Sequence, residues 1–445
     1  RGRSRGNDHL PSRPTNRPAR ALAVIETAPP SPPADRPTER ARDRRLTAAG
    51  LGAAIAFLGA GLASLALPPD ARLGAWLPLH LVLAGGAGTA IAAMVPFFTA
   101  ALTVAPPAPF ALRVLGLMGL GLGAAVAAIG RALAGPGSSL VAAAGGAVYM
   151  AGAVAVLAAT AVVLRGARGS RRPATELAYV VALPEVVVGA ALAALFLGGS
   201  PAVVAGWAWL KPAHAWLNVF GFVTLVIAGS LAHLAPTVAG ARIRRRPWAV
   251  ASIAGLAVGA PLAAAGYAFN ADALVRLGAL ASLAGAGALT VHGWQAHRDR
   301  FAWTTDHAWH AFTSGSLLAA PAWLLAATGI AAFRIAEFGA DPAGWRLGEL
   351  LAPLVAGFVV QVLLGALSHL LPAVGPGRPE RHAVERRVLG RDGSLRLVAW
   401  NLAAGAATVG VLADSTVVVT ASIAILVADL AATLLLLVAC VVGRR

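Results

Sequence analysis

Apolar positions in this chain gather into twelve blocks separated by short loops. Their limits fall near 47–67, 75–100, 110–134, 138–164, 175–198, 212–238, 248–269, 271–293, 307–333, 346–372, 395–413 and 416–442. An apolar run of about twenty residues is long enough to cross the hydrocarbon core as a helix. Lipid offers backbone amides no partner, so a crossing segment must satisfy its own hydrogen bonds. The pattern therefore predicts an all-α integral membrane protein of twelve spans. Residues 1–46 show no apolar periodicity and read as a disordered, basic, Pro/Arg-rich tail ahead of a membrane domain over 47–445.

Two blocks are near copies. Residues 221–238 read GFVTLVIAGSLAHLAPTV and residues 357–374 read GFVVQVLLGALSHLLPAV, identical at ten of eighteen positions across an offset of 136. The shared positions include Gly221/Gly357, Gly229/Gly365, His233/His369 and Pro236/Pro372. Both copies lie on spans that cross in the same direction, so the repeat is parallel, with its axis along the membrane normal. The repeating unit is then four helices, and three units make twelve. His80 opens the second span and His214 the sixth, 134 residues apart, and this spacing places the first unit.

Composition agrees with a bilayer setting. Hydrophobic residues make up 58% of the chain and charged residues 12%, where soluble domains carry about a quarter charged. Charge then sets the orientation. Arg72, Arg131, Lys211, Arg276, Arg334 and Arg346 fall on one side of the twelve-span layout, and the other 30 of the 36 Lys and Arg fall on the opposite side. Basic loops stay in the cytoplasm, so the expectation is a plasma-membrane protein with both termini cytoplasmic. The net charge of +17 reflects insertion and contact with anionic lipid, not a nucleic-acid partner. The patch at 21–25 is too short for a signal-peptide core, and because the chain does not begin with Met its start is expected upstream. The single cysteine, Cys440, excludes an internal disulfide and a Cys-rich metal site.

The stretches HLVLAGGAGTAIAAMVPFFTAAL from His80, HAWLNVFGFVTLVIAGSLAHLAPTVAGARI from His214 and QVLLGALSHLLPAVGPG from Gln361 carry a resemblance. They resemble the polytopic membrane domain of actinobacterial proteins, some of which carry a copper nitrite reductase-like module after it. More distantly, three four-helix units resemble the haem–copper oxidase catalytic subunit and NnrS-type membrane proteins. The resemblance implies haem or copper as cofactor, nitrogen-oxide or copper metabolism as setting, and a soluble cupredoxin or copper enzyme as partner. His80 matches the histidine that oxidases place near the outer end of the second helix. The oxidase histidine pairs of the seventh and tenth helices have no counterpart: 248–269 and the outer half of the tenth span carry none. That departure argues against oxygen reduction at a haem–copper pair.

The candidate chemistry is a set of imidazoles and two acids. His80 and His214 sit at the outer ends of their spans. His233, His307, His310 and His369 gather at the cytoplasmic ends of the sixth, ninth and tenth, with His292 and His297 on the eighth. His214 and His233 are about 28 Å apart along one helix, so an outer and an inner metal or haem site are the most this arrangement permits. Asn218, one turn after His214, is placed to orient that ring. The plainer reading of each histidine is an interfacial side chain bonded to a carbonyl or headgroup. Glu185, after Pro184, and Asp429 fall mid-span, where an ionisable group is costly and marks a proton relay, a cation site or a bond to a neighbouring helix. Three functions stay open: a haem- or copper-binding redox protein, a proton-coupled small-solute transporter, and a non-catalytic scaffold for a soluble copper enzyme.

Overall fold

The structure, a computed structural model, describes residues 36–133, 137–167, 169, 173–242, 247–300, 310–375 and 379–442. Twelve of its helices are long and apolar enough to cross a membrane. They are α1 (Arg36–Ser64), α2 (Trp76–Thr103), α3 (Phe110–Ala132), α4 (Ser138–Arg165), α5 (Pro173–Leu197), α6 (Trp207–Val238), α7 (Pro247–Ala268), α8 (Asp272–Arg298), α9 (His310–Phe338), α10 (Leu347–Val374), α11 (Gly393–Leu412) and α12 (Thr416–Val442). No strand occurs among the described residues. The protein is an all-α, twelve-span, multi-pass membrane protein.

Two boundaries differ from the hydropathy pattern. Residues 36–46, expected in the tail, form the first turns of α1. Charge density argued for solvation there, but partners from other helices decide otherwise. Arg113 on α3 donates to Asp43 Oδ1 at 2.8 Å and to Thr47 Oγ1 at 2.7 Å, and Arg44 donates to the carbonyl of Ala373 at 3.3 Å. The basic loop after α10 holds an additional short helix, Pro379–Leu389, too polar for the span pattern to register. Residues 1–35 lie outside the described residues.

Burial identifies the centre of the bundle. In α2, α6 and α10, 67%, 72% and 72% of the most apolar window is inside the protein, against at most 50% in the other nine spans. One span from each unit therefore forms the core, and the rest turn an apolar face to lipid. Each core span also leaves regular α-geometry at the same place. Its π-helical stretch begins at Leu81, at Trp216 and at Leu351, two steps of 135 residues. Wide turns of this kind are uncommon and concentrate at functional sites.

A glycine within each π-helical stretch extends the correspondence. Gly85, Gly221 and Gly357 are spaced by 136 residues. A Cβ on Gly85 would overlap the Phe57 ring, on Gly221 the Glu185 carboxylate, and on Gly357 the Trp323 ring. Phe57, Glu185 and Trp323 come from α1, α5 and α9, the first helix of each unit. The first unit, placed by spacing alone in the sequence, is thus the structural equivalent of the other two.

Outside this core α3 with α4 and α7 with α8 are the most extensively packed helix pairs, and α11 packs on α12 at the same place in the third unit. In the first two pairs small residues let the backbones touch, since lipid gives no hydrophobic drive and dispersion needs close approach. A side chain at Gly119 would collide with the Gly152 backbone, and one at Gly278 with the Ala263 backbone. Gly119→Leu is expected to destabilise the fold by about 1–3 kcal/mol or more through overpacking, read as a loss of the monodisperse peak in detergent gel filtration. Gly52→Leu, where a Cβ meets nothing within 4 Å, is expected to leave that peak intact.

Candidate functional site

The three core spans frame a cavity of about 570 Å³ at the end of the bundle opposite Arg36, the start of α1. The size is within the range of pockets that enclose small ligands and cofactors. His80, one residue before the first π-helical stretch, and His214, two residues before the second, both line it. The third unit supplies Leu350 and Leu354 to the wall. Two residues before its π-helical stretch stands Glu349, held by Arg334 through two bonds of 2.7 and 2.9 Å. The corresponding ends of the first two core spans thus offer an imidazole, and that of the third offers a carboxylate already paired.

Hydrogen bonding fixes the tautomer of both rings. His80 Nδ1 lies 2.7 Å from the Trp76 carbonyl, and His214 Nδ1 lies 2.9 Å from the Gly189 carbonyl on α5. A carbonyl oxygen only accepts, so each Nδ1 carries the proton and each neutral ring keeps its lone pair on Nε2. Asn218 Nδ2 lies 3.1 Å from His214 Nδ1 but donates to the His214 carbonyl at 2.7 Å. The Gly189 contact decides the proton, because the alternative would face two lone pairs at each other. Gly189 allows this arrangement: a Cβ there would overlap the Asn218 amide. Among the described residues no hydrogen bond engages Nε2 of either histidine. An Nδ1–H bonded to a backbone carbonyl with Nε2 free is the usual preparation of an imidazole for ligating a metal.

The surroundings are aromatic, apolar and positively charged. Trp76 stacks on His80 with ring centres 4.2 Å apart, and Trp207 lies 6.0 Å from His214 while stacking on Phe196 at 3.9 Å. Trp345 of the third unit lines the same space. Arg131 and Lys211 contribute the cations, and no acidic side chain lines the cavity among the described residues. Trp76, Trp207, Arg131 and the Gly189 carbonyl carry no sequence signal that separates them from ordinary belt aromatics, loop cations and span glycines.

The other candidates lie elsewhere. His233 is half-buried near the end of α6 and His369 near the end of α10, while His292 is buried on α8. His307 and the side chain of His310 lie outside the described residues. Among the described residues no group of three or more His, Cys, Asp or Glu is placed to hold a metal ion. Glu185 is buried in the second unit against Gly221, with neither carboxylate oxygen hydrogen-bonded. Asp429 is buried in the third unit, within electrostatic reach of Arg396. The Arg396 guanidinium donates to Thr433 Oγ1, one turn along α12 from Asp429, at 2.9 Å. The two acids belong to different helix packets.

A copper centre built on three imidazoles does not fit the described residues. What the described residues do bring to the cavity is two imidazoles among apolar walls, with two cations. The rings supply two free Nε2 atoms, the walls are aromatic and aliphatic, and Arg131 and Lys211 stand ready for carboxylates. No protein-family model matches this chain, and no curated protein matches it significantly.

Proposed function

We propose that this is a haem-binding redox protein of the plasma membrane, in which His80 and His214 would hold the haem iron in the outer cavity. The observation that carries the reading is the shared state of the two imidazoles, each with Nδ1–H tied to a backbone carbonyl and each lining one cavity. Imidazole is a standard axial ligand, and a bound haem supplies one-electron transfer. The protein's own contribution is to fix both rings before anything binds, to surround the site with Trp and Leu that exclude water, and to balance acidic substituents with Arg131 and Lys211. With the basic face in the cytoplasm, both termini are cytoplasmic and the cavity opens toward the outside, where a soluble cupredoxin or copper enzyme would exchange electrons with it. Nitrogen-oxide or copper metabolism is the setting the sequence resemblance supplies. Two imidazoles also suit a copper ion held without a macrocycle, which is the second reading of the same donor pair.

Detergent-purified protein, expressed with a haem supply and titrated with hemin, tests this directly. The expected result is a Soret band that saturates at one hemin per chain, with a spectrum typical of two nitrogen axial ligands. Stoichiometric copper without haem favours the second reading. Protein that stays colourless and takes up neither hemin nor copper would falsify both.

A further inference from the structure

Glu185 is the one notch-filling side chain that its sister units do not explain. In the first and third units the equivalent glycine notch receives Phe57 and Trp323. Phe57 has no polar atom to satisfy, and Trp323 satisfies its own by donating to Asn401 Oδ1 at 2.7 Å. An aromatic ring is therefore what packing alone asks for at this place. The second unit instead puts a carboxyl group there, buried, with both oxygens unbonded. Its notch is walled by Gly221 and Ala260, and among the described residues no charged side chain from a packed helix acts on it. An unpaired carboxylate at this depth costs several kcal/mol, so the group rests in its neutral, protonated form.

Polar contacts between α5 and α6 continue on either side of it. Toward the cavity, one turn along α5, the Asn218 amide packs against Gly189 and lines the cavity. Toward the basic face, Tyr179 OH lies 2.9 Å from Ser230 Oγ, and Thr175 Oγ1 donates to the Gly229 carbonyl at 2.9 Å. Between Gly221 and that pair stands Thr224, fully buried, its hydroxyl without a partner. From Thr175 to Gly189 the seam spans about 21 Å of helix, most of a hydrocarbon core of about 30 Å.

We infer that Glu185 is an exchangeable proton site on a transmembrane path along the α5–α6 seam, which connects the basic face with the outer cavity. The O–H bond of Glu185 breaks as its proton passes to a neighbouring hydroxyl or water oxygen. A proton arriving through Thr175, Tyr179, Ser230 and Thr224 restores it, so no electron or co-reactant is required. The inference is independent of what fills the cavity.

Infrared spectroscopy of the purified full chain tests it. The wild-type minus Glu185→Gln difference is expected to show a protonated-carboxyl stretch that shifts within minutes of transfer to D₂O. Tyr179→Phe and Thr224→Val are expected to leave the band in place and slow that shift several-fold. If Glu185→Gln does not fold, Glu185→Asp serves instead by moving the band. A missing band overturns the inference. So does a band unmoved after a day in D₂O, or a shift whose rate ignores both seam variants.

Discussion

Arg113→Met is expected to destabilise the protein by about 3–5 kcal/mol, the usual cost of removing one partner from a buried ion pair. Arg113 is 4% exposed and donates to Asp43 Oδ1, Thr47 Oγ1 and the Ala93 carbonyl at 2.8, 2.7 and 3.0 Å. Without it, Asp43 is left as an uncompensated acid, and α1, α2 and α3 lose the side chain that joins them. Asp43→Asn keeps a hydrogen-bonding shape but strands the guanidinium charge, so it should also destabilise. The double variant Asp43→Leu/Arg113→Met removes both charges and should recover a large part of the loss. Thermal unfolding in a single detergent, followed by fluorescence, gives the three midpoints. A double variant no better than Arg113→Met alone would show that the ion pair is not the source of the effect.

The second large effect concerns the cavity. Alanine at either His80 or His214 should weaken hemin binding by more than the roughly 10–100-fold typical of losing a residue that merely orients a ligand. The Soret band should also move to the position of a single-imidazole complex. His233→Ala and His369→Ala are the controls. His233 lies about 28 Å along α6 from His214, and neither residue lines the cavity, so both should bind hemin as the wild type does. Equal losses from all four variants would point to general destabilisation and remove the support for the outer site.

Much of the architecture was legible because its cause is local. Each of the twelve spans is announced by its own composition, since a backbone entering lipid must arrive with an apolar block already in place. The parallel repeat was visible where residues coincide, as at His233/His369 and Gly221/Gly357, and the loop arginines fixed a consistent layout. Where a helix was held by distant partners, the reading failed. Residues 36–46 looked like tail because nothing nearby shows that Asp43 will meet Arg113, seventy residues on. The helix Pro379–Leu389 escaped notice because its polarity matches that of a loop.

The candidate site divides in the same way. Sequence placed His80 and His214 at equivalent ends of two spans and singled out Glu185 as an acid at membrane depth. That the two imidazoles open onto one cavity depends on how the first and second units pack. That His214 is anchored by a carbonyl twenty-five residues upstream depends on the α5–α6 contact. Phe57, Glu185 and Trp323 share no chemistry, so their equivalence appears only when each is seen filling the same glycine notch.

The sequence by itself determined that the chain crosses the bilayer twelve times, in parallel blocks of four, with most of its arginines on one side, because lipid acts on each segment separately. Only the tertiary structure decided that α2, α6 and α10 form the centre, that each loosens into a π-helical stretch, and which polar atoms are left open on the cavity or along the α5–α6 seam. Those outcomes are set by contacts between helices distant in the chain, and hydropathy, which scores one segment at a time, carries no information about them.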